Sequence, residues 1–468
     1  MNESTRAPAL RERLQRIIDT LCDGLVERDE AARLVLLAAL AGEHSLLIGP
    51  PGTAKSELAR RLHRAFAEAR YFERLLTRFS VPEELFGPLS ISALEQDRYE
   101  RQTAGFLPEA SIAFIDEVFK ANSAILNALL TLLNEREFDN GAGRQRCPLV
   151  SVVGATNEVP DDEVAEAFFD RFLVRLVIEP VSPAGFARLL ELPVNGVAPD
   201  IDAPLTEDDR VALVAAAAGV AVPEDVRGLL AELRAQRREQ GAAVSDRRWV
   251  KIMALLRTAA ACDGRASVSV WDLHLLPPCL AADTETQTEL EAWLTARLGV
   301  DTAFSPERIT RAVEAFEAQL TAEQQANDLD FDDSGRLRFS PDDMAGDLAD
   351  DIGDAKGGAA ALRMSYQRRR RYGAIHIQAR TDQIDALCVR LAAYRDTLGH
   401  DRRDLAAHAG ASLWMAPAFA AAALRHLDDT GAALNQLEGR LRAARAGFEA
   451  LPRLDTDPGT VPDLVRYD

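Results

Sequence analysis

One stretch constrains this chain more than any other: Ser45-Leu46-Leu47-Ile48 followed at once by Gly49-Pro50-Pro51-Gly52-Thr53-Ala54-Lys55-Ser56. A short apolar run, a Gly/Pro cluster and an amphipathic stretch reaching Ala69 predict strand, loop and helix in that order. Small residues in such a loop let backbone N–H groups wrap phosphates. A Lys then reaches the outer phosphates, and a Ser or Thr hydroxyl holds Mg²⁺. Lys55 and Ser56 fit those roles, with Gly49, Pro50, Pro51, Gly52, Thr53 and Ala54 forming the cradle. Ala54 stands where the pattern usually has Gly. Its place at a helix start predicts a helical φ, at which one methyl is tolerated.

Two further buried strands are expected, at Ile112 to Ile115 and at Leu149 to Gly154. Between them Ala121 to Asn134 has helical periodicity, with Ile125, Leu126, Leu129, Leu130 and Leu133 on one face. Strands alternating with helices predict an α/β core with a parallel sheet covered on both sides. The second strand runs into Asp116-Glu117. Its carboxyl end should face the phosphate loop, so Asp116 can hold a metal's water shell and Glu117 can polarise an attacking water. The third strand runs into Ala155-Thr156-Asn157, where Asn157 can reach the same water or the terminal phosphate.

Three segments are expected. Residues 1–180 form the α/β core, residues 181–300 an all-helical domain broken at prolines, and residues 301–468 a mainly helical extension. The extension contains an acidic insert at about 327–375, with Asp328 to Asp354 composed like a solvated loop and Arg336 to Phe339 as a short strand. Two long helices close the chain as an antiparallel pair, lined by Ile384, Leu387, Leu391 and Leu398 on one and by Leu427, Leu434, Leu441 and Phe448 on the other.

Charge limits the partners. Of 468 residues, 54 are Lys or Arg and 74 are Asp or Glu, a formal net charge of −20, and aromatics are only 6%. This disfavours nucleic acid as a partner. Five cysteines without a CxxC pair give no zinc ribbon or disulfide framework. No apolar run reaches the roughly 20 residues needed to span a bilayer. A cytoplasmic protein with no transmembrane segment is the expectation.

The order of parts resembles AAA+ ATPases: phosphate loop, Asp-Glu strand, sensor Asn157, then Arg171 in Ala167-Phe168-Phe169-Asp170-Arg171-Phe172. Within that group the chain is similar to the MoxR family, and most closely to its regulatory ATPase variant A (RavA) type. The likeness is carried by Gly24-Leu25-Val26-Glu27-Arg28, by Gly49 to Ser56, by Arg78 to Ser90, by Gly105 to Ala110, by Asp116 to Lys120 and by Ala155 to Glu158. It is dense over 20–180 and thins through 181–300.

The resemblance implies ATP and Mg²⁺ as cofactors and a homo-oligomeric ring, a hexamer, with Arg171 as an arginine finger acting on the neighbour's nucleotide. It implies that Leu25 and Val26 contact adenine. It also implies a second sensor in Ser245-Asp246-Arg247-Arg248-Trp249, with Arg247 the better match and Arg248 the reserve. The implied activity is ATP hydrolysis by a chaperone-like motor that remodels an unknown target complex with a von Willebrand factor A (VWA) domain protein. Gly87 to Pro108 and the turn Phe138 to Gly143 are the candidate target contacts. Rival readings are a nucleic-acid or metal-chelatase-type motor, and a nucleotide-gated scaffold.

Overall fold

The computed structural model describes residues 3–141, 143–157, 163–192, 200–328, 368–454 and 459–466. Contacts divide the chain into two units: Met1–Leu298 with Leu405–Ala423, and Gly299–Asp404 with Leu424–Asp468. The expected C-terminal extension is therefore split, because residues from the tip of its helical pair pack within the first unit.

The first unit is built on a five-stranded parallel sheet of β1 (His44–Ile48), β2 (Tyr71–Leu75), β3 (Ile112–Asp116), β6 (Ser151–Thr156) and β7 (Phe172–Val177), in the order β2-β3-β6-β1-β7. Every residue of β1 and β6 is buried, which requires cover on both faces and accounts for the apolar runs Leu46-Leu47-Ile48 and Val152-Val153-Gly154-Ala155 within them. The expected strands are present. Two more flank them. In edge strand β2, Tyr71-Phe72-Glu73-Arg74-Leu75, only Phe72 is buried, and β7 carries Arg175 in its middle, so neither reads as an apolar run.

The register decides where the chemistry gathers. Ile48 pairs with Thr156, and Ile115 pairs with Gly154, so β3, β6 and β1 are consecutive strands whose carboxyl ends lie side by side. Helix α3 (Lys55–Arg64) follows the loop after β1. Helix α6 (Ser123–Glu135) follows β3. Asn122 caps it by accepting from the Ile125 N–H at 3.1 Å, and its apolar face joins the core with Ala113, Ile115 and Val152. Beyond α6, β4 (Glu137–Asn140) and β5 (Gly143–Arg146) form an antiparallel hairpin. Gly141 at its tip has φ +70° and passes so close to Tyr99 that a Cβ would lie 2.3 Å from the Tyr99 carbonyl oxygen.

After β7, α8 (Pro183–Leu190) leads into helices α9 (Glu207–Ala218), α10 (Glu224–Glu239), α11 (Asp246–Cys262) and α13 (Thr284–Arg297). The tip residues 405–423 dock here. Trp414, only 1% exposed, donates its indole N–H to the Ala259 carbonyl, and the Leu413 N–H donates to Asp263.

The second unit holds α14 (Pro306–Gln325) and most of the long helices Ala374–Ala411 and Pro417–Glu449. Ile384, Leu391, Leu434, Leu441 and Phe448 are buried, as the periodicity predicts. A two-residue antiparallel ribbon, Asn327–Asp328 with Arg368–Arg369, brackets the acidic insert. Residues 329–367, with most of the expected acidic loop and the expected strand at Arg336 to Phe339, lie outside the described residues. Among the described residues no helix is long and apolar enough to cross a membrane.

Candidate nucleotide-binding site

Three strand ends converge on one small volume. Lys55 opens α3 and is buried; its ammonium donates to the carbonyls of Gly49 and Pro50 and, at 3.3 Å, to Asn157 Oδ1. The same Asn157 amide donates from Nδ2 to Glu117 Oε1 at 2.5 Å. Lys120 pairs with the other carboxylate oxygen of Glu117 at 3.2 Å. The Glu117 N–H donates to Asp116 Oδ1 at 3.0 Å. A bridge thus runs from Lys55 through Asn157 to Glu117. Burial pulls the Lys55 pKa down, opposed by the nearby charges of Asp116 and Glu117.

The loop itself corrects one expectation. Ala54 is not helical: it sits at φ 68°, ψ 21°, in the left-handed region. A side chain there costs about 1–2 kcal/mol, which glycine would avoid. Glu117 is also left-handed, at φ 52°. Strain at both positions is consistent with a functional loop held by its surroundings.

Among the described residues no group of three or more His, Cys, Asp or Glu could hold a metal ion. A cation at Ser56 and Asp116 would therefore complete its shell with phosphate oxygens and water, the arrangement Mg²⁺ favours. That donor set fits Mg²⁺.

Leu25 and Val26 lie on a cleft of about 560 Å³, faced by Arg188 and Leu192 from α8 and the turn after it. Neither Glu27 nor Arg28 carried an assigned role in the sequence, yet both make contacts here. The buried Arg28 guanidinium donates to the carbonyl of Thr53 in the phosphate loop, and the exposed Glu27 carboxylate accepts from Ser182. No local pattern signals these contacts, which span 25 and 155 residues of chain.

The candidate arginines lie elsewhere. Arg171 immediately precedes β7, whose first residue pairs with His44 at the start of β1, whereas the phosphate loop leaves the opposite end of β1. The separation is about 17 Å along the five residues of β1. Arg247 is exposed and donates to Asn134 Oδ1 at 2.7 Å. It lies near enough to Arg171 for its positive charge to help lower the Arg171 pKa, after the larger effect of burial.

Arg248, the reserve candidate for the second sensor, takes a different setting from Arg247. It is buried, and it donates to the carbonyls of Cys279, Phe172 and Leu173 and to Asp170. It is a strut between helix α11 and the foot of β7. Arg175 is likewise buried, with bonds to the Ala281 and Phe169 carbonyls. One carboxylate, Asp170, serves Arg171, Arg175 and Arg248 at 3.7, 3.8 and 3.1 Å.

Comparison with known proteins agrees with this geometry. Residues 12–204 match a model of the MoxR domain in the MoxR-vWA-beta-propeller ternary systems, and residues 225–294 match a model of the AAA lid domain. Two uncharacterized proteins of Methanocaldococcus jannaschii are each 38% identical, over 56% of this chain and 69% and 70% of their own lengths. Protein MoxR of Paracoccus denitrificans is 29% identical over 32% of this chain and 46% of its own. A crystal structure from Cytophaga hutchinsonii, provisionally described as an ATPase, shares the fold with a TM-score of 0.51 at 18% identity, covering 61% of this chain and 92% of its own. With the Gly49–Ser56 loop, the Asp116-Glu117 strand end and Asn157 meeting on adjacent strands, and with these matches beside them, the chain belongs to the MoxR family of AAA+ ATPases.

Proposed function

We propose that this chain hydrolyses ATP as a ring-forming, chaperone-like motor that remodels or matures a protein complex. One observation carries the reading: the Lys55–Asn157–Glu117 bridge, which puts a phosphate-binding cation, an orienting amide and a basic carboxylate within hydrogen-bond reach of one another. In this reading Lys55 exchanges the Gly49 and Pro50 carbonyls for phosphate oxygens when nucleotide enters. Glu117 holds the attacking water and accepts its proton, and Asn157 fixes the carboxylate's orientation. Mg²⁺, held through Ser56 and Asp116, supplies charge neutralisation at the phosphates. The backbone of Gly49 to Ala54 cradles them, and Leu25 and Val26 form one wall for the base.

Arg171 is proposed as the finger for a neighbouring subunit in a hexameric ring, with Arg247 beside it as second sensor. The distance of Arg171 from its own phosphate loop supports the finger role, as does the local excess of guanidinium over carboxylate in a chain of net charge −20. The proposed partner is a VWA-domain protein, and the wording of the matched family model adds a β-propeller protein. Within the family, the RavA type is the proposed subtype. Residues 1–180 act as core and 181–300 as lid, with 301–468 as a C-terminal helical extension.

The two candidate target contacts work as one. Asn140 on the hairpin accepts from the Arg101 N–H at 2.6 Å and donates to the Arg101 carbonyl at 3.2 Å. The test is affinity capture with Glu117→Gln in the presence of ATP. It should hold nucleotide, lose phosphate release and retain partner proteins; capture that does not depend on ATP would contradict the motor reading.

A further inference from the structure

Two successive residues connect both halves of the proposed nucleotide site without lining the phosphate cradle. Arg28 is 7% exposed, and its guanidinium donates to three carbonyls: Thr53 in the phosphate loop at 3.0 Å, Glu179 after β7 at 2.7 Å and Glu27 at 2.7 Å. These bonds pin the phosphate loop to the chain that leaves the sheet for α8. Glu27 turns the other way. Its carboxylate accepts from the Ser182 N–H at 2.7 Å and from the Ser182 hydroxyl, at the very start of α8. Ser182 in turn caps that helix by accepting from the Gly185 N–H.

The backbone is shaped for this. Glu27 has φ 55°, a left-handed conformation that a non-glycine residue adopts at a cost. Residue 185 is a glycine where a Cβ would sit 2.5 Å from Glu27 Oε1. Helix α8 matters because Arg188 and Leu192 form the wall of the 560 Å³ cleft opposite Leu25 and Val26.

We infer that Glu27 and Arg28 are positioning residues for nucleotide: Arg28 sets the phosphate loop, and Glu27 sets the far wall of the base cleft. The inference rests on the nucleotide reading above and adds to it a division of labour between neighbours in sequence. Arg28 governs affinity for any polyphosphate. Glu27 governs only ligands that carry a base.

The test compares Mg·ATP with Mg·tripolyphosphate by titration calorimetry on the full chain, for wild type, Glu27→Ala, Gly185→Ala and Arg28→Lys. Glu27→Ala should weaken ATP about tenfold while tripolyphosphate changes by less than about twofold, since one hydrogen-bonded contact at a wall corresponds to roughly a decade of affinity. Gly185→Ala, which displaces the same carboxylate, should reproduce that split. Arg28→Lys, which keeps the charge but cannot span three carbonyls, should weaken both ligands about tenfold. A purely structural role would lower thermal stability and move both ligands alike in every variant. Equal losses for the two ligands in Glu27→Ala, or no loss in any variant, overturns the inference. If Arg28→Lys does not fold, the Glu27 and Gly185 arms still decide, because Glu27 is exposed. Wild type binding neither ligand would overturn the nucleotide reading itself, an outcome distinct from wild type binding ATP with variants unchanged.

Discussion

Removing the Arg171 guanidinium should abolish turnover in assembled rings while leaving the fold intact. Its contribution to stability is small: the side chain retains about a fifth of its exposure and holds Asp170 at 3.7 Å, a loose contact. Such a pair is worth at most about 1 kcal/mol. Its contribution to catalysis is of another order, since a guanidinium on the γ-phosphate accelerates hydrolysis by roughly 10³–10⁵, or about 4–7 kcal/mol. The finger cannot serve its own subunit, because about 17 Å of strand separates it from the phosphate loop, more than an arginine side chain can span. Complementation reads this directly. Lys55→Ala and Arg171→Ala are each expected to be inactive. In a randomly ordered one-to-one mixed ring, about a quarter of the head-to-tail interfaces join an intact phosphate loop to an intact Arg171. Phosphate release should therefore return to about a quarter of the wild-type value if sites act independently, with subunit exchange verified by light scattering and labelled protomers. Wild-type turnover by Arg171→Ala in assembled rings would refute the reasoning, and so would an exchanging mixture no more active than its parents.

Three further outcomes are expected. Lys55→Ala should lose both nucleotide binding and hydrolysis, whereas Glu117→Gln should keep binding and lose turnover by about 10²–10⁴, the range for a general base; equilibrium binding beside phosphate release separates them. Arg248→Ala should destabilise the chain by about 1–3 kcal/mol in denaturant unfolding, because the carbonyls of Cys279, Phe172 and Leu173 lose a buried donor. Exposed Arg247→Ala should cost less than about 1 kcal/mol. His44 is fully buried, with Nδ1 accepting from the Val152 N–H and Nε2 donating to the Leu133 carbonyl, and burial brings its pKa down to about 3. The unfolded chain then binds the extra proton between pH 6.5 and about 3, so stability falls as pH falls through that window, by about 1.4 kcal/mol per unit. His44→Gln should flatten that slope; an unchanged slope would remove His44 as its cause.

The phosphate loop, the Asp116-Glu117 strand and Asn157 were legible because each motif is local. An apolar run followed by a particular polar residue encodes both the strand and the group at its end. The flanking strands were not legible for the same reason. At the edge of the sheet, β2 needs only one buried face, and β7 tolerates Arg175 because carbonyls of Ala281 and Phe169, far apart in sequence, accept its hydrogen bonds.

The sequence by itself determined which chemical groups are present and that they sit at strand ends. The tertiary structure alone decided the strand order β2-β3-β6-β1-β7, which makes three of those ends neighbours. It also decided the left-handed turn at Ala54, the use of Arg248 as a strut while Arg247 stays exposed, and the reach of Arg28 and Glu27 to Thr53 and Ser182. Adjacent arginines in one helix have the same composition and nearly the same neighbours in sequence. What separates them is the direction each side chain takes from the helix, and which distant carbonyls are waiting there.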